Sequence, residues 1–220
     1  MLAFIDVAGT CARPFNGLVR ALGKDAVVWC ETPADVKNAP TRAPGVRAIA
    51  GRLQLDWVLA NENVTAIALC AGNPLHRVLA AWFEAGATPT HPFHDAPHTF
   101  TLREVLEEDH PFARALCNAV SNALCQAGAE PSVAHVLARL SEGKTVVGDP
   151  ARPGPFITAL AHLLQAPRTS FQREDFAQNH FEPVRGRLAK MIRERNEMDA
   201  AICNELSARS DGTTRVLRLP

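Results

Sequence analysis

Three sets of side chains in this chain have the type and spacing for chemistry. Asp6 closes an apolar run, Leu2 to Val7, where a buried strand would end. Asp56 lies on a helix ahead of a second apolar run, Val64 to Cys70, and Asn73 follows that run directly. In a parallel sheet, groups at the carboxyl ends of neighbouring strands meet along one edge. Oxygen donors gathered there suit a hard cation such as Mg²⁺ or Mn²⁺. A metal so held activates water and stabilises an in-line phosphoryl displacement. Asp6, Asp56 and Asn73 are therefore the candidate catalytic set, with Asp6 and Asp56 as metal ligands. The opposing reading makes Asp6 a turn acid and Asp56 part of a solvated helix face.

The second set is basic. Arg185, Arg187, Lys190 and Arg193 fall along one predicted helix, with Phe176 and Phe181 upstream. Such a flank contacts phosphates, and aromatic neighbours add base stacking. Glu197, Asp199 and Glu205 follow closely, so a solvated helix face is the competing reading. The third set is His91, His94 and His98 with Asp95, a zinc-ligand composition in a proline-rich stretch that also reads as a polar loop between regions. A Cys70–His76 pair would make a thiol nucleophile, against the commoner buried, inert cysteine.

These residues need elements to place them. Leu2–Val7, Ala26–Cys30 and Val64–Cys70 have the continuous apolar character of strands buried on both faces. Helical periodicity separates them, so the three are expected to be parallel and adjacent in one sheet. Val46 to Ile49 is too brief to assign. Trp57, Trp82 and Phe83 are expected between helices and sheet. Residues 1–95 read as an α/β unit of three layers around a parallel sheet. Residues 99–220 read as mainly helical: Leu102–Glu108, Pro111–Ala127, Ser132–Ser141, Pro155–Leu164, and a long helix at about 183–208 opened by Pro183. Lys144–Gly148 reads as a short strand, and the alternating tail Thr213–Leu219 as an edge strand or a mobile end.

Composition narrows the function classes. Lys and Arg number 23 and Asp and Glu 23, so the formal net charge is +0. Affinity for nucleic acid or an acidic membrane therefore needs a local patch. Six scattered cysteines without a C-x-x-C spacing point to free thiols and a cytoplasmic location. No apolar run reaches membrane-spanning length. No G-x-G-x-x-G follows a strand, which argues against a Rossmann-like dinucleotide enzyme. The stripe Met191, Ile192, Met198, Ile202 and Leu206 must pack on this chain, on a second copy or on a protein partner.

Phe4-Ile5-Asp6-Val7 before a helix, Asp56 ahead of a buried strand, and Leu69-Cys-Ala-Gly-Asn-Pro-Leu75 together resemble the PIN/NYN nuclease domains across residues 1–95. Asn73 and Leu75 stand where those domains carry acids, and Ala50 where a further acid is expected. The resemblance implies a PIN/NYN-like fold acting on RNA, as a metal-dependent phosphodiesterase (a ribonuclease) or as a degenerate, binding-only relative. The alternative from another class is a non-catalytic scaffold that oligomerises through its C-terminal helix.

Overall fold

The computed structural model describes residues 1–11, 13–39, 43–125, 132–177, 184–208 and 216–217. In chain order the elements are β1 (Leu2–Ile5), α1 (Pro14–Leu22), β2 (Val27–Cys30), α2 (Pro33–Asn38), β3 (Ala48–Gly51), α3 (Leu55–Ala60), β4 (Ala66–Cys70) and α4 (Pro74–Ala87). The second half adds α5 (Ala96–Thr99), α6 (Leu102–Glu107), α7 (Pro111–Leu116), α8 (Ala119–Leu124), α9 (Val133–Ser141), β5 (Thr145–Gly148) and α10 (Pro153–Leu164). It ends with α11 (Arg173–Phe176), α12 (Gly186–Glu194), α13 (Glu197–Ala208) and β6 (Val216–Leu217).

The sheet runs β2-β3-β1-β4-β5-β6; the first five strands are parallel and β6 is antiparallel to β5. Both faces are covered, as the unbroken apolar strands require. Alternate residues of β1 serve opposite faces. Ala3 and Ile5 join Ile49, Ile67 and Leu69 under α3, α8, α9 and α13, whereas Leu2 and Phe4 join Leu18, Phe156, Leu160 and Phe176 of α1, α10 and α11. A third cluster, around Trp82, Leu106, Phe112 and Ile192, binds α4 to α6, α7 and α12.

Several expectations are corrected. Strand β3, the run left unassigned, lies between β2 and β1, so β2 is parallel to β1 without touching it. Small residues at Ala48, Ala50 and Gly51 let it fit there with every position buried. The sheet is not confined to residues 1–95, because β5 pairs with β4 and β6 extends it. Pro111–Ala127 divides into α7 and α8 at Asn118, whose φ of 49° breaks the helix. The helix expected at about 183–208 is two helices, α12 and α13, separated by a turn at Arg195 and Asn196, and Pro183 lies outside the described residues. Trp82 is buried and Trp57 half-buried, but Phe83 is 53% exposed, turned away from the α4 cluster. No helix among the described residues is long and apolar enough to cross a membrane.

Candidate functional site

A crevice of about 320 Å³ lies between the carboxyl ends of β1 and β3 and helices α4, α7 and α8. Two glycines shape it. Gly51 ends β3 with φ +127°, and a Cβ there would stand 1.9 Å from the Cys30 carbonyl oxygen. Gly9 has φ +74°, and its Cβ would stand 2.1 Å from the Arg77 carbonyl oxygen, so the β1–α1 loop rests directly on α4. Only a residue without a side chain permits either approach.

Among the polar residues that line the crevice are Asp6 after β1, Arg52 after β3, Glu84 on α4 and His91 from the following loop, with Gln54, Arg114 and Asn122 also on its walls. Backbone bonds hold the first two in place. The Asp6 N–H donates to the Gly51 carbonyl at 2.8 Å, and the Arg52 N–H to the Cys30 carbonyl at 2.8 Å. Arg52 lies 3.4 Å from Asp6 and 3.9 Å from Glu84, both longer than a charge-assisted hydrogen bond. Its Nη1 is buried without a hydrogen-bond partner among the described residues. This guanidinium is thus close to two carboxylates and bonded well to neither.

Burial pushes the Asp6 carboxyl up to about 6; Arg52 opposes the rise, and Glu84 and Glu31 add to it. His91 is shifted the other way: burial disfavours its charged form, and Arg52 adds to that effect. The Phe93 N–H donates to His91 Nδ1 at 3.1 Å, so a neutral ring carries its proton on Nε2. The crevice therefore holds a carboxyl that changes charge near neutral pH beside an imidazole kept neutral. Its far wall is aromatic. Phe93 stacks on Phe112 with ring centroids 4.7 Å apart, and Phe112 stacks on Trp82 at 5.6 Å.

A buried polar network fixes that wall. Arg77, fully enclosed on α4, donates from Nη2 to the Leu116 carbonyl and to Asn196 Oδ1, each at 2.7 Å, and pairs with Asp199 at 3.2 Å. Asp199 accepts the N–H groups of Val120 at 3.0 Å and Ser121 at 2.8 Å, holding the first turn of α8. Asn196 Oδ1 also accepts the Asn118 N–H at 2.9 Å. Leu116, which lines the crevice, is held directly by these bonds, and Ala119 and Asn122 lie on the α8 segment whose Val120 and Ser121 N–H groups the same bonds fix.

The structure separates the residues first singled out. Asp6 is in the crevice, but Asp56 is not: its carboxylate meets Arg139 of α9 at 2.6 Å. Asn73 caps α4, accepting the Leu75 N–H at 2.9 Å. Among the described residues, no group of three or more His, Cys, Asp or Glu is placed to hold a metal ion. The expected pair does not fit Mg²⁺ or Mn²⁺, since Asp56 lies outside the crevice and each aspartate faces a guanidinium.

Only His91 of the histidine loop reaches the crevice. His94 Nδ1 and His98 Nε2 lie 3.2 Å and 3.0 Å from the carbonyls of Ala85 and Gly86, at the end of α4. Cys70 is buried against Cys11, with which it shares a hydrogen bond, and all six cysteines are free thiols. On α12, Arg187 pairs with Glu107 at 2.8 Å and Lys190 with Glu194 at 3.6 Å, while Arg185 and Arg193 are exposed. Phe176 is buried in the core and Phe181 lies outside the described residues. Ile192, Ile202 and Leu206 are buried within this chain.

Sequence reasoning missed Arg52, Glu84 and the Arg77–Asn196–Asp199 network. A signal for the network existed: Ile192, Asn196, Asp199, Cys203 and Leu206 recur at helical spacing, placing two polar residues in a buried stripe. Scans against protein-family models, the curated proteins and the solved structures each returned no match to this chain.

Proposed function

We propose that this chain binds a nucleotide unit of single-stranded RNA in the Asp6–Arg52 crevice. The observation that carries the reading is one cavity joining an under-bonded guanidinium to a stacked aromatic wall. A nucleotide has both complements: a phosphate oxygen for Arg52, and a flat base for Phe93. The volume suits a ligand of that size, and the carboxyl ends of a parallel sheet are where open α/β folds place ligands. A resemblance to the PIN/NYN domains points to the same ligand class.

Asp6 makes the binding pH-dependent. Above about 6 its carboxylate repels a phosphodiester, and below that it is neutral and can donate a hydrogen bond. A ribodinucleotide such as ApA is a suitable probe, because its phosphodiester keeps one charge across this range. Calorimetric titration should show affinity several-fold higher at pH 5.5 than at pH 7.5. Arg52→Met should weaken it at least tenfold at both. The same titrations with a single-stranded oligoribonucleotide, in EDTA and with Mn²⁺, read cleavage as well as binding. Absence of binding by both probes at millimolar concentration would remove RNA from the account.

A further inference from the structure

A second cleft lies on the opposite helical layer, independent of the crevice. It has a volume of about 580 Å³ and is lined by Arg152, Gly154, Ile157, Arg168, Phe171 and Arg173 among others. The chain places three arginines there by doubling back. Helix α10 ends at Leu164, Gln165 after it turns the backbone with a φ of 50°, and a turn at Arg168–Ser170 leads into α11 against α10. Phe171 and Ile157 are buried in the core beneath, so the return path is anchored by apolar packing.

The charge of this cleft is unlike that of the whole. The chain is neutral, yet the lining carries three guanidinium groups and no carboxylate. Arg152 has one long contact, 3.4 Å to Asp149. Neither Arg168 nor Arg173 has an ion-pair partner among the described residues. The three guanidiniums are exposed to solvent, which weakens their mutual repulsion, but all of them line one concave surface. An anion with several charges relieves that repulsion and takes up the planar donor forks of the guanidiniums.

We infer that this cleft binds a compact polyanion of adjacent phosphates, whether a nucleoside triphosphate or an inorganic oligophosphate. Three arginines offset most of the negative charge of a triphosphate, and the volume leaves room for a nucleoside. The carrying observation is the arginine-lined cavity; the start of α10, which has no side-chain cap, adds only partial positive charge.

The test titrates the full chain with tripolyphosphate and with ATP at 50 and 200 mM NaCl by calorimetry. Both are expected to bind, more weakly at the higher salt. Arg168→Gln with Arg173→Gln should lower the affinity for each at least tenfold. Because that pair could disturb the turn, Gly154→Glu is a second variant. Nothing lies within 4 Å of where a Cβ on Gly154 would stand, so the side chain enters open space. An acid in the first turn of a helix favours the fold, while its charge opposes a polyanion in the cleft. Arg139→Gln, which removes one positive charge outside both cavities, should leave tripolyphosphate binding unchanged. Equal binding of the two probes means the phosphates suffice; a marked preference for ATP places the nucleoside in the cleft too. Failure of both probes to bind at millimolar concentration and 50 mM NaCl overturns the inference. So does wild-type affinity in both variants, or capture of a single-stranded RNA by a cleft that takes neither small anion.

Discussion

Two arginine–aspartate pairs lie on either side of α4, and they are built differently. Arg77 and Asp199 are wholly enclosed, and between them they bond the Leu116 carbonyl, Asn196, and the N–H groups of Val120 and Ser121. Arg52 and Asp6 meet at 3.4 Å in a crevice, with Arg52 one-third exposed. In the enclosed pair both Asp199 oxygens and Arg77 Nη2 are bonded by the protein, while Arg77 Nε and Nη1 are buried without a hydrogen-bond partner among the described residues. The open pair differs in keeping its unused capacity where a ligand can reach it, and burial holds Asp6 in an unfavourable charge state at neutral pH. An ion pair that bonds its neighbours well positions structure, whereas one held loosely in a cavity is available to a ligand.

The comparison breaks first if the enclosed pair proves dispensable. Asp199→Ala leaves the Arg77 guanidinium buried without its counter-charge, which costs about 3–5 kcal/mol. For a chain of this size that lowers Tm by roughly 10 °C. A thermal melt showing a loss below about 1 kcal/mol would mean that the network does not hold the wall. Trp82→Ala is expected to cost about 3 kcal/mol, because it removes a buried ring stacked on Phe112. It should also weaken ApA binding by disordering the wall behind Phe93.

The open pair should respond in the opposite sense. Asp6 titrates near 6 in the folded chain, above its ordinary value of 3.8. Between those values the folded state binds more protons than the unfolded one, so stability falls as pH rises. The contribution is complete below about pH 4 and lost above about pH 6. Asp6→Asn removes the burden of burying a charge, though Arg52 then loses a neighbour. The variant should be more stable than wild type by about 1–2 kcal/mol at pH 7.5 and equal to it at pH 4. Denaturant titrations at the two pH values measure this. A destabilised variant at pH 7.5 would show that Asp6 is well paired and the distinction between the two pairs false.

How much of this was legible follows from range. The strands could be read because burial on both faces leaves a continuous apolar run, and Asp6 could be read because it ends one. Helix α9 carries a local mark of the same kind, a serine directly ahead of its apolar periodicity: Ser132 caps it, its Oγ accepting the His135 N–H at 3.1 Å. The position of β3 could not be read, since strand order depends on crossovers that leave no local mark in Ala48–Gly51. Arg52 escaped notice because its role comes from facing Asp6 across the sheet edge, forty-six residues away in sequence. Asp199 looked like a surface acid balancing the basic flank; only its spacing from Ile192 and Leu206 marks it as buried. Asp56 shows the converse error, an acid well placed by sequence arithmetic whose partner comes from α9.

That pairing yields the smallest expected effect, and it separates the crevice from a two-aspartate site most directly. The Asp56 and Arg139 side chains are 36% and 15% exposed, so solvent screens their attraction. A double-mutant cycle with Asp56→Asn and Arg139→Gln should give a coupling energy below about 1 kcal/mol. Neither change should alter the affinity for ApA or its dependence on pH, because Asp56 lies outside the cavity. If Asp6 and Asp56 instead formed one functional set, Asp56→Asn would weaken binding as strongly as Arg52→Met does. It would also abolish any rise in Tm caused by Mn²⁺. Parallel titrations of the two single variants distinguish these outcomes, and a loss of binding in Asp56→Asn would return the site to the two-aspartate arrangement.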